Sequence, residues 1–229
     1  MAELALILYD VDGTLVNSQS HILTSMEAAF AKVGLPKPDD AEIMSGIGLS
    51  LPIIMRNLCP VATEAQIDAL VQAYKDQFVA ARGKGGANPL SPLYPGIAEH
   101  LDRVERWPHW LLGIATGKSR RGLDHLVDMH GWNKRFVTLQ CADDHPSKPH
   151  PSMVLTAMSE AGVDPERTVV VGDTTYDVEM ARAAGAHALG VSWGYHKPDA
   201  LIQAGAVRVV GRTDQIDEAL AEILGETNG

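Results

Sequence analysis

The chain has 229 residues, of which 45% are hydrophobic and 21% are charged, as in an ordinary globular protein. Its formal net charge is −10, because 29 acidic residues outnumber 19 basic ones. This balance argues against a nucleic acid or an anionic membrane as the main partner, since proteins bind those surfaces through clusters of Lys and Arg.

The sequence carries no signal for a place outside the cytoplasm. Its apolar runs fall well short of the ~20 residues that a membrane helix needs. The apolar segment near the start has no basic residue before it and is interrupted by Asp10, unlike a secretory signal. The two cysteines, Cys59 and Cys141, are far apart and lack metal-ligand spacing, which favours two free thiols. We therefore expect a cytoplasmic protein.

Residues 4–9 form a short apolar run, which is typical of a strand buried on both faces of a parallel sheet. Asp10 stands at the end of this strand, and Asp12 projects from the same side two residues later. Gly13 permits a sharp turn and leaves backbone amides open to an anion. Two carboxylates this close repel each other, so the segment indicates a functional site. A polar turn after a strand is the simpler alternative.

A helical region follows the first strand. Ser18 or Ser20 can cap a first helix that Gly34 ends, and helical spacing of apolar residues continues to about residue 82. Residues 83–95 are rich in glycine and proline and have no periodicity, which predicts a loop or hinge. The helical region is small for a self-sufficient core, so we expect it to pack over the rest of the chain.

Strands and helices then alternate. Strands are predicted at 110–115, 136–141, 168–171, 188–191 and 207–210, and helices at 96–107, 120–130, 151–158, 177–184 and 216–224. This alternation predicts an α/β fold, with a Rossmann-like parallel sheet and helices on both of its faces.

Polar residues follow several of these strands. Thr116 and Gly117 follow the second strand, Lys148 precedes a helix, and Asp173 with Asp177 follows a later strand. Because the carboxyl ends of parallel strands meet at one edge of the sheet, we expect these residues to converge with Asp10 and Asp12. Carboxylates, a hydroxyl, a lysine and free amides suit a phosphate group held by Mg²⁺. The glycine patterns of dinucleotide and nucleoside triphosphate sites are absent from the sequence.

The motifs match a known family in order along the chain. The segment Asp10-Val11-Asp12-Gly13-Thr14, then Thr116, Lys148-Pro149, and Gly172-Asp173 with Asp177 resemble the four motifs of the haloacid dehalogenase-like superfamily. The helical region resembles the helical cap of one of its subfamilies. Ser18, Tyr94-Pro95-Gly96 and Val191-Ser192-Trp193-Gly194 are most similar to the phosphoglycolate phosphatase-like branch. The resemblance implies a catalytic core of residues 1–17 and 91–229, with a cap of residues 18–90 inserted after the first strand.

The resemblance also implies residue roles. Asp10 would be the nucleophile that takes the phosphoryl group, and Asp12 the general acid and then the base. Mg²⁺ would be held by Asp10, the backbone carbonyl of Asp12, Asp173 and Asp177. The phosphate would be bound by Thr116 and the amide of Gly117, with Gly13 beside it and Lys148 offsetting negative charge. Ser18 and Arg56 are the candidate cap-side contacts with substrate, and Arg56 would suit the carboxylate of phosphoglycolate. A position on the helix surface is the alternative role for Arg56.

Several alternatives stay open at this stage. Taken alone, Thr116 can be a helix cap, Lys148 a solvated charge and Asp177 a first-turn helix stabiliser. A phosphomutase of the β-phosphoglucomutase kind shares both aspartates, and a phospho-accepting regulator also clusters carboxylates, a threonine and a lysine. A haloacid dehalogenase is disfavoured because Asp12 is a carboxylate. We expect a Mg²⁺-dependent phosphatase of a small phosphorylated metabolite, present as a monomer or homodimer, with no nucleic acid or membrane partner.

Overall fold

A computed structural model describes residues 3–82 and 91–226. Its centre is a six-stranded sheet in the order β3-β2-β1-β4-β5-β6, in which every neighbouring pair is parallel. The strands are β1 (Ala5–Tyr9), β2 (Trp110–Thr116), β3 (Thr138–Cys141), β4 (Thr168–Gly172), β5 (His187–Val191) and β6 (Arg208–Val210). The order reverses direction beside β1, so the ends of β1, β2 and β4 meet at a crevice where α/β proteins bind ligands.

Ten helices are described. The first four follow β1: α1 (Gln19–Val33), α2 (Asp40–Ser45), α3 (Leu51–Leu58) and α4 (Glu64–Arg82). The other six are α5 (Ile97–Val104), α6 (Arg120–Met129), α7 (Ser152–Ala161), α8 (Thr175–Ala183), α9 (Pro198–Ala204) and α10 (Ile216–Ile223). The predicted α/β class with a parallel sheet is therefore confirmed.

Strand β1 is buried on both faces, as its continuous apolar run predicts. Ile7 and Tyr9 pack into a core on one side of the sheet, whereas Leu6 and Leu8 pack into a second core on the other. Because a core covers each face, β1 holds Asp10 in a fixed place at the end of the strand.

Helices α1–α4 have an apolar core of their own. Met26 and Phe30 of α1 pack there with Met55 of α3 and Leu70 of α4. The backbone segments that lead into and out of these helices lie side by side. Asn17 N donates to Pro92 O at 2.8 Å, and Tyr94 N donates to Leu15 O at 3.0 Å.

Two parts of the sequence prediction need comment. Helix α9 was not predicted, although Pro198 at its first turn and Gly205 at its end are standard signals. The predicted loop 83–95 lies largely outside the described residues, and so does the proposed boundary between 90 and 91. The division into a core and a cap therefore stays a prediction. In the part of the chain that is described, no helix has the length and apolar character to cross a membrane.

Candidate active site

Three buried carboxylates meet at the crevice. Asp10 follows β1, Asp173 follows β4 and Asp177 lies in the first turn of α8. Each is at most 1% exposed, and one oxygen from each lies within 4.8 Å of the others. The structure thus brings together three of the four residues predicted to bind a metal.

Lys148 lies between two of these carboxylates. Its side chain is completely buried, and Nζ donates to Asp10 Oδ1 and to Asp177 Oδ1, both at 2.6 Å. Burial alone would lower the pKa of Lys148, but the charges of Asp10 and Asp177 raise it above its ordinary value. Lys148 is therefore a charged group inside the protein, not the solvated surface lysine that remained an alternative.

One lysine does not neutralise three carboxylates. Burial raises the pKa of Asp10 to about 7, with Lys148 opposing this rise and Asp177 adding to it. Burial, Asp10 and Asp177 raise the pKa of Asp173 well above its ordinary value. Asp10 Oδ2 is buried and has no hydrogen-bond partner among the described residues. A hard divalent cation with oxygen ligands fits this surplus of charge and this free oxygen.

Local hydrogen bonds fix the other two carboxylates. The Thr14 hydroxyl donates to Asp173 Oδ1 at 2.9 Å, and the Tyr195 backbone N–H donates to Oδ2 at 2.8 Å. Asp177 Oδ2 accepts from both the backbone N–H and the hydroxyl of Thr174, in a capping box that begins α8. Asp177 is thus both a helix-capping residue and a member of the cluster.

The Asp12 side chain is not part of the cluster of three aspartates. Its oxygens accept from Lys118 Nζ at 2.7 and 2.8 Å, and Oδ1 also accepts from the Ser18 hydroxyl at 2.5 Å. The ion pair is largely buried, with 8% of the lysine side chain and 14% of the aspartate exposed. Lys118 is a site residue that sequence reasoning missed. Its position two residues after Thr116, at the end of β2, was the available signal.

Two predicted glycines are required for steric reasons. Gly13 has φ +93°, and a Cβ there would lie 2.3 Å from Asp173 Oδ2. A Cβ on Gly117 would lie 2.6 Å from the carbonyl oxygen of Gly48 and 2.7 Å from that of Leu49. Both glycines therefore let other parts of the site approach closely, a reason the sequence alone does not show.

A cavity of about 680 Å³ opens above the carboxylates. One end of the cavity is lined by Asp10, Asp12, Thr116, Gly117 and Lys118. Its other end is lined by the helices that follow β1, through Ile22, Ile54, Tyr74, Phe78 and Val79, and by residues 47–52. The cavity therefore joins the end of the sheet to the helical region.

The structure does not bring two of the predicted residues into contact with the cavity. Arg56 lies on the outer side of α3 and forms an ion pair with Glu64, Nη2 to Oε2, at 2.7 Å. Ser18 is buried, and its hydroxyl donates to Asp12 and lies 3.2 Å from the Tyr195 hydroxyl. Arg56 therefore does not lie where its predicted contact with substrate would require. It is outside the cavity lining and is paired with Glu64 of α4. Ser18 contacts Asp12 instead of the cavity.

Comparison with known proteins is consistent with this geometry. The sequence model of the family described as haloacid dehalogenase-like hydrolase matches residues 7–191. All four predicted motifs lie within the matched range.

Individual relatives extend over nearly the whole chain. A protein of Dickeya dadantii named "Probable phosphatase IndB" is 33% identical over 224 residues, which cover 96% of this chain and 94% of that one. A phosphoglycolate phosphatase of Pasteurella multocida is 29% identical over 202 residues, covering 86% and 89%. The solved structure of a haloacid dehalogenase-like family hydrolase from Streptococcus pneumoniae superimposes with a TM-score of 0.81 at 22% identity, covering 96% and 99%. The last similarity establishes the fold alone.

Proposed function

This chain belongs to the haloacid dehalogenase-like hydrolase family, and we propose that it is a Mg²⁺-dependent phosphatase that hydrolyses a small phosphate monoester through an aspartyl phosphate on Asp10. The observation that carries the proposal is the buried cluster of Asp10, Asp173 and Asp177 around Lys148, with Asp10 Oδ2 unpartnered among the described residues. In a cluster with a purely structural role, that buried oxygen would accept a hydrogen bond from a neighbouring group.

In the first step a carboxylate oxygen of Asp10 attacks phosphorus, and the bond from phosphorus to the leaving oxygen breaks. The leaving oxygen takes a proton from Asp12 and departs as an alcohol. Thr116 and the Gly117 amide, which line the cavity beside Asp10, bind the phosphate oxygens. Lys148 offsets the charge that these oxygens share with Asp10.

In the second step a water molecule attacks the phosphorus of the aspartyl phosphate and gives a proton to Asp12. The bond from phosphorus to Asp10 breaks, which releases inorganic phosphate and restores the Asp10 carboxylate and the protonated form of Asp12. The ion pair with Lys118 and the hydrogen bond from Ser18 hold Asp12 in place for this step. Asp12 can act as the acid of the first step only when Lys118 releases one of its oxygens.

Asp10, Asp173 and Asp177 would hold Mg²⁺, together with the backbone carbonyl of Asp12. When bound, the cation offsets the charge of the carboxylates and of the phosphate that approaches them. The residues present fit this group, because their oxygens are close together, buried and short of positive charge.

Phosphoglycolate is the substrate suggested by the resemblance and by the name of the Pasteurella multocida relative. Cytoplasmic location and a monomeric or homodimeric state complete the proposal.

The direct test is release of inorganic phosphate from a panel of small monoesters, with and without Mg²⁺, for the wild type and Asp10→Asn. We expect Mg²⁺-dependent release that the substitution lowers at least about 10³-fold, as for loss of a nucleophile. Asp68→Asn, which changes an exposed aspartate of α4, should retain full activity. Absence of release from every ester by folded protein with Mg²⁺ would contradict the proposal, and conversion of a sugar phosphate to its isomer would indicate a mutase.

A further inference from the structure

The cavity is much larger than the phosphoryl group and glycolate together require. Cavities of ~300–1,000 Å³ hold drug-sized ligands, and this one has about 680 Å³. We propose that the substrate is the phosphate monoester of an alcohol that carries an aromatic ring, which lies against Tyr74 and Phe78 of α4. This inference rests on the proposed phosphatase function and specifies its leaving group.

The wall opposite the carboxylates is aromatic and apolar. Tyr74 and Phe78 are one turn apart on α4, and their ring centroids lie 5.6 Å apart at an interplanar angle of 28°. His21 of α1 stacks on Phe78 with centroids 3.7 Å apart, which fixes the orientation of the Phe78 ring. Ile22 and Ile54 line the cavity beside these rings. A planar ring gains more from such a wall than a short hydrophilic acid does.

The Tyr74 hydroxyl is the polar group of this wall. Burial and the nearby charge of Asp12 raise the pKa of Tyr74 well above its ordinary value, so the hydroxyl stays protonated. It makes no hydrogen bond with the residues that the structure describes, although Tyr74 lines the cavity. Because Tyr74 lines the cavity, a polar atom of the bound leaving group can serve as a hydrogen-bond partner of its hydroxyl.

The cations near the cavity do not provide a buried site for a carboxylate. Lys118 Nζ is occupied by both oxygens of Asp12 and lies 5.2 Å from the centroid of the Phe78 ring. Lys75 and Arg121 line the cavity but are exposed residues. Arg56 is paired with Glu64 outside the cavity. This distribution favours an uncharged aromatic leaving group over glycolate.

The test compares benzyl phosphate and 2-phenylethyl phosphate with phosphoglycolate. All three release an alkyl alcohol, so differences in kcat/KM report mainly on the cavity. We expect kcat/KM for the aromatic esters to exceed that for phosphoglycolate by at least about tenfold, the factor that corresponds to ~1.4 kcal/mol. Equal values, or a preference for phosphoglycolate, would overturn the inference.

Two variants locate the effect. Phe78→Leu removes the ring with little change in volume, and Tyr74→Phe removes only the hydroxyl. Each should raise KM for the aromatic esters and lower the ratio of their kcat/KM to that for phosphoglycolate, Phe78→Leu by about tenfold. Phe30→Leu, a matched change in the same helical core but outside the cavity lining, should affect all esters alike. Equal effects of the three variants on all esters would assign Tyr74 and Phe78 a packing role only.

Two further measurements separate this inference from the proposed function. Acetyl phosphate has an activated leaving group and no ring, so its Asp10-dependent hydrolysis reports phosphoryl transfer alone. Calorimetric binding to the Asp10→Asn variant with Mg²⁺ reports the cavity alone. We expect a Kd for benzyl phosphate at least about tenfold below that for phosphoglycolate. Equal Kd values would overturn the inference even if acetyl phosphate is hydrolysed, and failure to hydrolyse acetyl phosphate would overturn only the proposed function.

Discussion

Asp10, Asp173 and Asp177 behave as one charged unit because they share a buried space. Each is held by its own local partners, Lys148 for Asp10, Thr14 for Asp173 and Thr174 for Asp177. Their mutual repulsion remains, as the raised pKa values of Asp10 and Asp173 indicate, burial being the largest cause for both. The charged cluster therefore lowers the free energy of unfolding, compared with a protein that has neutral residues at these positions. Such destabilisation is common at functional sites.

We predict that Asp173→Asn raises the free energy of unfolding of the metal-free protein by about 0.5–2 kcal/mol. The substitution removes one buried negative charge, while the amide can still accept from the Tyr195 N–H and donate to the Thr14 hydroxyl. Urea unfolding at pH 7.5 in the presence of EDTA measures the change. The same variant should lose stabilisation by Mg²⁺.

Asp68→Asn serves as the control for this prediction, because Asp68 is exposed on α4 and should change stability by no more than ~0.5 kcal/mol. A metal-free Asp173→Asn protein that is less stable than the wild type would show that repulsion among the aspartates is not the dominant effect.

Single residues differ in how well the sequence predicts them. Asp10 and Asp173 are predictable because each directly follows a buried apolar strand, and strand ends converge. The partnership of Asp12 with Lys118 depends on which way two side chains turn, which no spacing encodes. Arg56 was assigned to the cavity, but its partner Glu64 belongs to the next helix, and contacts between helices are not visible in a linear pattern.

Among the elements, two loops meet above the carboxylates. The turn after β2 places Gly117 against the carbonyl oxygens of Gly48 and Leu49, between α2 and α3. The loop between α2 and α3 therefore packs directly against the loop that we propose binds phosphate. The distance between these two loops sets the depth of the cavity.

We predict that Gly117→Ala lowers kcat/KM by up to about 100-fold, since a displacement of about 1 Å at a reacting centre has an effect of that size. The added methyl group would overlap both carbonyl oxygens and push the helical region away. Steady-state phosphate release measures the loss. Gly211→Ala is the matched control, because a Cβ there meets no atom closer than 3.7 Å. Unchanged kinetics in Gly117→Ala would mean that this contact does not set the geometry of the site.

A second contact between elements joins α5 to α10, which pack on the same face of the sheet. Asp217 of α10 accepts from His100 at 2.5 Å and from Arg103, both on α5, and His100 in turn contacts the Tyr9 hydroxyl at 2.9 Å. Burial alone would raise the pKa of Asp217, but the hydrogen bonds from His100 and Arg103 lower it below its ordinary 3.8. The charged form of Asp217 therefore stabilises the fold.

We predict that Asp217→Asn lowers the free energy of unfolding at pH 7 by about 1–3 kcal/mol, as for other hydrogen bonds to charged groups. A lowered pKa contributes stability above the unfolded-state value, and this stability is lost as pH falls through the folded-state value. The difference in the free energy of unfolding between wild type and variant should therefore be constant from pH 7 to about 5. It should become smaller below the ordinary pKa of 3.8. Thermal unfolding across this range measures it. A difference that grows on acidification would contradict the assignment.

Long elements with strong periodicity were predictable, whereas short ones depended on local signals. Strands β1, β2 and β4 match their predictions within one residue at each end, because continuous apolar runs bounded by Gly, Asp or Thr are unambiguous. Helix α9 has only seven residues, of which Leu201 alone is buried, so it is too short to show a clear helical period and its proline and glycine were the main signals.

At the scale of the whole molecule, the described residues form three apolar cores. Two cover the faces of the sheet, and the third lies within α1–α4. Alternation of strands and helices predicts the sheet. How the helical region sits on it is not predictable in this way, because a few polar contacts determine it. The Ser50 N–H donates to Ser147 Oγ at 2.8 Å, and Tyr176 and His196 both contact the Ser45 carbonyl at 3.1 Å.

The central claim is that the phosphoryl group is carried by Asp10, and trapping of the phosphoenzyme tests it most directly. Asp12→Asn removes the base of the second step, so the protein should keep a labelled phosphoryl group after acid quenching. Because Asp12 is also the acid of the first step, the labelled donor is acetyl phosphate, whose activated leaving group needs no acid. With Mg²⁺ we expect the label on the peptide that contains Asp10, with release by hydroxylamine. Label on another residue, or unimpaired turnover by Asp10→Asn, would contradict the account.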